Sequence, residues 1–171
     1  MIPIKQILLI CAVVMGQSVL AQKPLTKEES AKVIEAAIRK AAKKPTGKLT
    51  KADLDKVTQL KLSHNKSIRL GDGGIPKGLD KLPNLTWLDL SINSLTSVKG
   101  LEKLTKLKML NLYQNRLTDV EGLEKLTQLE ELILTNNPDP IFSSIDGLTK
   151  AQIDELQKAL PNCRISSNPT K

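Results

Sequence analysis

From Leu79 to Ile145 the chain repeats itself every 22 residues, and this period restricts the possible folds more than any other feature. One column holds Leu79, Leu101, Leu123 and Ile145, and another Leu82, Leu104, Leu126 and Leu148. The same step links Leu88, Leu110 and Leu132, then Leu90, Leu112 and Leu134. It also links Asn93, Asn115 and Asn137, and Val98, Val120 and Phe142. Each copy reads L-x-x-L-x-L-x-x-N-x-L, from Leu85 to Leu95 and from Leu107 to Leu117. A third copy runs from Leu129 to Asn137 without the last leucine. A fixed period of this size marks an architecture of stacked repeats.

The two leucines of L-x-L are two residues apart, so both point to one face of a short strand. One strand cannot bury that row alone; stacked copies build a parallel sheet with a continuous leucine core behind it. Parallel strands need a crossover. The segment Leu101 to Leu107 supplies one, with leucines at i, i+3 and i+6 as in a tight 3₁₀ turn. The crossover is expected to be right-handed. Asn93, Asn115 and Asn137 fall where the chain leaves the strand. Their amides suit backbone groups that the bend leaves without partners. They are predicted to be structural, each worth on the order of 1–3 kcal/mol.

The first 21 residues have the pattern of an export signal: Lys5, an apolar run from Ile7 to Met15, and Val19-Leu20-Ala21 before the cut. The run is too short for a membrane span of about 20 residues. Cys11 follows the bulky Ile10 and reads as an ordinary signal residue. Cleavage would leave Cys163 as the single cysteine, so no internal disulfide is expected. Residues 22–56 read as a helical N-terminal cap. Thr26 and Glu29 form a capping box, Val33, Ile34, Ala37, Ile38 and Ala41 form the apolar stripe, and Pro45-Thr46-Gly47 is the stop. Thr50 and Asp53 form a second box ahead of Leu54 and Val57. The repeats occupy residues 57–147. The first, Leu60 to Asn65, is offset by 28 residues from the next, which places an insertion between Ile68 and Gly78, most plainly at Gly71 to Gly74. That glycine loop matches no phosphate-binding pattern. Residues 148–171 form a second cap. It has a helix started by Thr149 and Gln152 with Ile153, Leu156 and Leu160 inward, an edge strand Cys163-Arg164-Ile165 with Cys163 buried, and a loose polar tail from Ser166.

With these motifs the chain resembles the bacterial 22-residue leucine-rich repeat proteins, and the helical cap ahead of the repeats is similar to that of the internalins. The resemblance covers nearly all of Leu25 to Ile165. It implies an α/β fold: an arc-shaped, right-handed solenoid with a short parallel sheet on its concave face and helical caps at both ends. It also implies a protein partner held on that concave face. The chain departs from the internalins in having about four repeats, no following immunoglobulin-like domain and no C-terminal wall-sorting signal, so only the binding-module architecture carries over.

The residues that alternate with the leucines are predicted to face that partner. By column they are Gln59, Trp87, Met109 and Glu131; Lys61, Asp89, Asn111 and Ile133; Ser63, Ser91, Tyr113 and Thr135; and His64, Ile92, Gln114 and Asn136. Two of the three aromatic residues of the chain, Trp87 and Tyr113, lie here. Such side chains are enriched at contact hot spots. The candidate binding residues are Trp87, Asp89, Ile92, Met109, Asn111, Tyr113, Gln114, Glu131 and Ile133. Asp89 and Glu131, about 10 Å apart on strands two apart, have a spacing that could serve an inverting carboxylate pair. Nothing in the sequence desolvates them, so they are expected to be solvated charges.

Charge supplies a competing reading. Residues 22–69 hold 13 basic and 5 acidic side chains, whereas residues 70–171 hold 12 and 13. Lys40, Lys43, Lys44, Lys48 and Lys51 could meet an anionic envelope or polymer surface. No aromatic lies among them for base stacking, so nucleic acid is not expected. A third reading, an enzyme, has no nucleophile–base pair or metal-ligand set to stand on, and no cofactor is expected. The chain is thus expected to be a monomeric, exported binding module, periplasmic or secreted.

Overall fold

The computed structural model describes residues 26–63, 75, 78–137 and 147–168, with the Lys27 side chain left aside. The export-signal segment, His64, the Gly71 to Gly74 loop, Phe142 and Ile145 lie outside the described residues. Five parallel strands make one sheet in chain order: β1 Gln59–Lys61, β2 Trp87–Asp89, β3 Met109–Asn111, β4 Glu131–Ile133 and β5 Arg164–Ser166. The in-register rows Trp87, Met109, Glu131 and Leu88, Leu110, Leu132 follow the 22-residue period, and Gln59 pairs with Trp87 across the 28-residue step. The leucines at both L-x-L positions are buried, and one continuous core runs behind the sheet.

The crossovers are 3₁₀ turns at Leu79–Lys81, Leu101–Lys103 and Leu123–Lys125. A glycine precedes each, and Gly100 and Gly122 take φ of 105° and 97°, where a side chain is disfavoured. The acid two residues on closes the turn. Gly100 N–H donates to Glu102 Oε2 at 2.5 Å, Gly122 N–H to Glu124 Oε2 at 2.6 Å, and Gly78 N–H to Asp80 Oδ1 at 2.9 Å. The backbone amides of Glu102 itself and of Gly100 hold the Glu102 carboxyl below its ordinary range.

The asparagine column forms as predicted. Asn115 Nδ2 donates to the carbonyls of Leu90 and Leu112, both at 3.0 Å, while its Oδ1 accepts from Leu95 N–H at 3.1 Å. Asn137 repeats the pattern with Leu112, Leu134 and Leu117. Asn93 Nδ2 donates to Leu62 and Leu90, but its Oδ1 has no partner among the described residues.

The caps cover the two ends of the core. Helix α1, Lys27–Ala41, starts in the Thr26/Glu29 capping box and packs on β1. Its inward stripe is Ile34 and Ile38 with Ser30, which is 1% exposed; Ala41 faces out instead, because the helix turns it past the contact. Helix α2, Lys51–Asp55, starts in the Thr50/Asp53 box. Lys44 and Thr50 hold the Asp53 carboxyl well below the usual carboxylate range. Helix α3, Lys150–Ala159, starts in the Thr149/Gln152 box and buries Ile153 and Leu156, with Leu160 buried just beyond it.

Two expectations for the C-terminus are corrected. The register pairs Ile165 with Leu132, so Ile165 takes the first leucine place and Ser167 the second. Cys163 is buried one pair earlier; alternation fixes which way residues face but not how far a strand slides. Nor is the polar segment loose at its start: Ser166 closes β5, and Asn168 Oδ1 accepts from Asn136 N–H at 2.6 Å, while residues 169–171 lie outside the described residues.

Candidate binding face

Because the leucines of each strand point into the core, the residues between them form the opposite face of the sheet. Trp87, Met109 and Glu131 lie side by side in one row, with Arg164 next on β5. All of Trp87, Met109, Tyr113, Glu131 and Ile133 are partly exposed. None of the apolar members belongs to the core or to the apolar side chains packed against it. Part of each apolar side chain is therefore left open on this face.

The next row divides into different roles. Asp89 is only 6% exposed, which corrects the expectation of a solvated charge. Its Oδ1 accepts from Ser91 N–H at 2.9 Å, folding the side chain back over the exit of its own strand. Asn111 does the same with Tyr113 N–H at 3.0 Å. These two groups are engaged in turn formation, as short side chains with oxygen acceptors often are. Ile133, in the same row, has no such capacity and stays on the open face.

Past the strands lies a column with unusual backbone. Ile92, Gln114 and Asn136 have φ of 54°, 52° and 59°. The reason is a ladder: Ile92 N–H donates to the Tyr113 carbonyl at 2.8 Å and Gln114 N–H to the Thr135 carbonyl at 3.0 Å. At Asn136 the Asn168 side chain takes the place of the next carbonyl. Asn136 Nδ2 also donates to the Tyr113 hydroxyl at 3.1 Å, which fixes that ring on the face. Left-handed backbone suits asparagine and disfavours a β-branched residue. Ile92 thus holds a costly conformation without joining the core. Ile92→Asn is expected to raise the unfolding free energy by about 0.5–1 kcal/mol, with loss of its partial burial offsetting part of the relief. A urea titration checks this; a lower midpoint would mean the Ile92 side chain supports the fold.

The basic residues of the N-terminal cap do not act as one group. Lys44 Nζ is paired with Asp53 Oδ2 at 2.7 Å, while Lys40, Lys43, Lys48 and Lys51 are exposed. Among the described residues there is no cluster of side chains able to hold a metal ion, and no helix is long and apolar enough to cross a membrane.

A family model for leucine-rich repeats matches residues 83–123 and 105–150. Among solved structures, a leucine-rich repeat protein of Leptospira interrogans is 32% identical with a TM-score of 0.53, covering 70% of this chain and 28% of that one. An internalin of Listeria monocytogenes, InlF, is 21% identical with a TM-score of 0.61, covering 90% of this chain and 49% of that one. Internalin C2 of the same species is 23% identical with a TM-score of 0.51, covering 81% and 66%. The two internalin likenesses speak to the fold alone. The chain therefore spans 28%, 49% and 66% of these three relatives. A comparison with curated proteins finds no match.

Proposed function

Because the chain is a bacterial leucine-rich repeat protein with an internalin-like fold, we propose that it is a non-enzymatic, exported binding module that holds another protein on the open face of its sheet. One observation carries this reading. Trp87, Met109, Tyr113 and Ile133 share a face, keep part of their surface exposed and take no part in the core. Clustered apolar groups of this kind mark contact surfaces, and Trp and Tyr combine large area with a polar group at one end. Gln114 and Glu131 supply polar contacts beside them. Asp89 and Asn111 contribute by shaping the strand exits, since the Oδ1 of each is engaged by a backbone N–H.

Site-specific photo-crosslinking tests the reading. A crosslinker at Met109 or Ile133 is expected to trap one discrete protein from the native envelope fraction, and the same group at Lys103 or Lys125, on the crossovers, is not. Equal capture from both sides, or capture only from the crossovers, would remove the sheet face as the binding surface.

A further inference from the structure

The cap carries a second surface, independent of the sheet. Helix α1 turns Ile34 and Ile38 toward the repeats, so Lys32, Ala36 and Lys40, at helical spacing on its other side, face away from them. At its C-terminal end Ala36, Arg39, Lys40, Lys43 and Pro45 line a shallow hollow.

Two of the acids nearest this end, Glu35 and Asp53, are already taken, while Asp55 turns a buried Oδ1 inward that has no hydrogen-bond partner among the described residues. Arg39 donates to Glu35 Oε1 from Nε at 3.0 Å and from Nη2 at 2.7 Å, and its Nη1 donates to the Gly47 carbonyl at 2.8 Å. Lys44 consumes Asp53. Glu28 and Glu29 lie in the first turn, at the far end of the helix. Lys40, Lys43, Lys48 and Lys51 are left exposed and form no ion pair among the described residues.

Two of these lysines stand where the fold gains nothing from them. Lys43 has φ of 53°. It is the left-handed residue of a helix-ending motif in which Lys44 N–H donates to the Arg39 carbonyl and Lys43 N–H to the Lys40 carbonyl, a place where glycine is usual. Lys51 opens α2, at the end of a helix where the dipole favours anions.

We propose that this end of the cap adheres to an anionic phospholipid bilayer, with Lys40, Lys43, Lys48 and Lys51 on the headgroup phosphates. Charge complementarity argues for this occupant. The free cations are lysines, hydrated point charges on flexible stems, which suit a diffuse anionic plane; Arg39, the one guanidinium within residues 26–63, is locked on Glu35 and cannot grip a single phosphate in a fork. The apolar part of the lining is Ala36 and Pro45, with no aromatic or leucine to insert, so contact stays at headgroup level. Residues 26–63 contain no aromatic side chain, which leaves nothing for nucleic-acid bases to stack on.

Co-sedimentation of the full chain with vesicles of equal parts phosphatidylglycerol and phosphatidylcholine tests the proposal. Binding is expected at low salt and lost as salt rises. Lys43→Gln should weaken it roughly five-fold, and glutamine at all four positions a hundred-fold or more, at about one lysine's electrostatic attraction each. Lys43→Gly separates contact from structure: it should weaken binding by the same factor while melting no lower than the parent. The proposal is overturned if the four-fold variant binds as tightly as the parent, if pure phosphatidylcholine vesicles bind equally well, or if single-stranded DNA binds more tightly than the vesicles at matched salt.

Discussion

Asn115→Ala is expected to lower the unfolding free energy by about 3 kcal/mol. The side chain is buried and answers three backbone groups: the Leu90 and Leu112 carbonyls and the Leu95 N–H. The carbonyls each keep a second amide donor, from Asn93 and Asn137 respectively, so they are weakened and not orphaned. The Leu95 N–H has no other acceptor among the described residues, and an unpaired buried donor costs about 1–3 kcal/mol. The remainder comes from the two lost donor bonds and the vacated volume. Asn93→Ala should cost less, about 1–2 kcal/mol, because Asn93 Oδ1 answers no donor among the described residues. Urea titrations of both variants check the ranking. Equal losses at the two positions would mean that the accepting half of the amide contributes little.

Leu110→Ala should cost about 2–5 kcal/mol, whereas Met109→Ala, its neighbour in sequence, should cost under about 1 kcal/mol. Leu110 is 0% exposed and stands between Leu88 and Leu132 at the middle of the sheet, where the strands on both sides limit relaxation into a cavity. Met109 is partly exposed on the other face and packs on no core residue. The contrast tests the direction of every L-x-L triplet. Comparable losses, read from denaturant midpoints at unchanged slope, would place Met109 inside and dissolve the proposed binding face.

The repeat was legible because one pattern fixes both period and facing direction. The leucine columns, the asparagine column and all three capping boxes depend on spacings of a few residues, and local chemistry decides them. What escaped the sequence depends on neighbours. Asp89 is a charged residue at an outward position, and only the path of its strand exit turns it onto Ser91 N–H. Ile75 is buried and donates its N–H to the Lys99 carbonyl, though it follows an insertion that breaks the period. The slide of β5 was hidden because Cys163 and Ile165 have the right parity for two different registers. G-L-[DE]-K carries a readable signal of its own: the acid two residues after a glycine recurs as Asp80, Glu102 and Glu124, and each closes a turn. On the candidate face the columns were legible from alternation alone, while the division between contact and turn-forming residues was not.

The amide of Asn136 meets the Asn168 side chain where its counterparts at Ile92 and Gln114 meet the backbone of a following coil. The two junctions spanned by Ile92 and Gln114 are thus chemically interchangeable, and in this column the array ends on a side-chain substitute beside the β5 strand. Array length is then a modular variable. Another 22-residue unit spliced between β3 and β4 would meet compatible partners on both sides. It would widen the platform by one strand spacing of about 4.8 Å and carry Trp87 and Ile133 apart by that step, so reach across a target could change without any alteration to the fastening at either end.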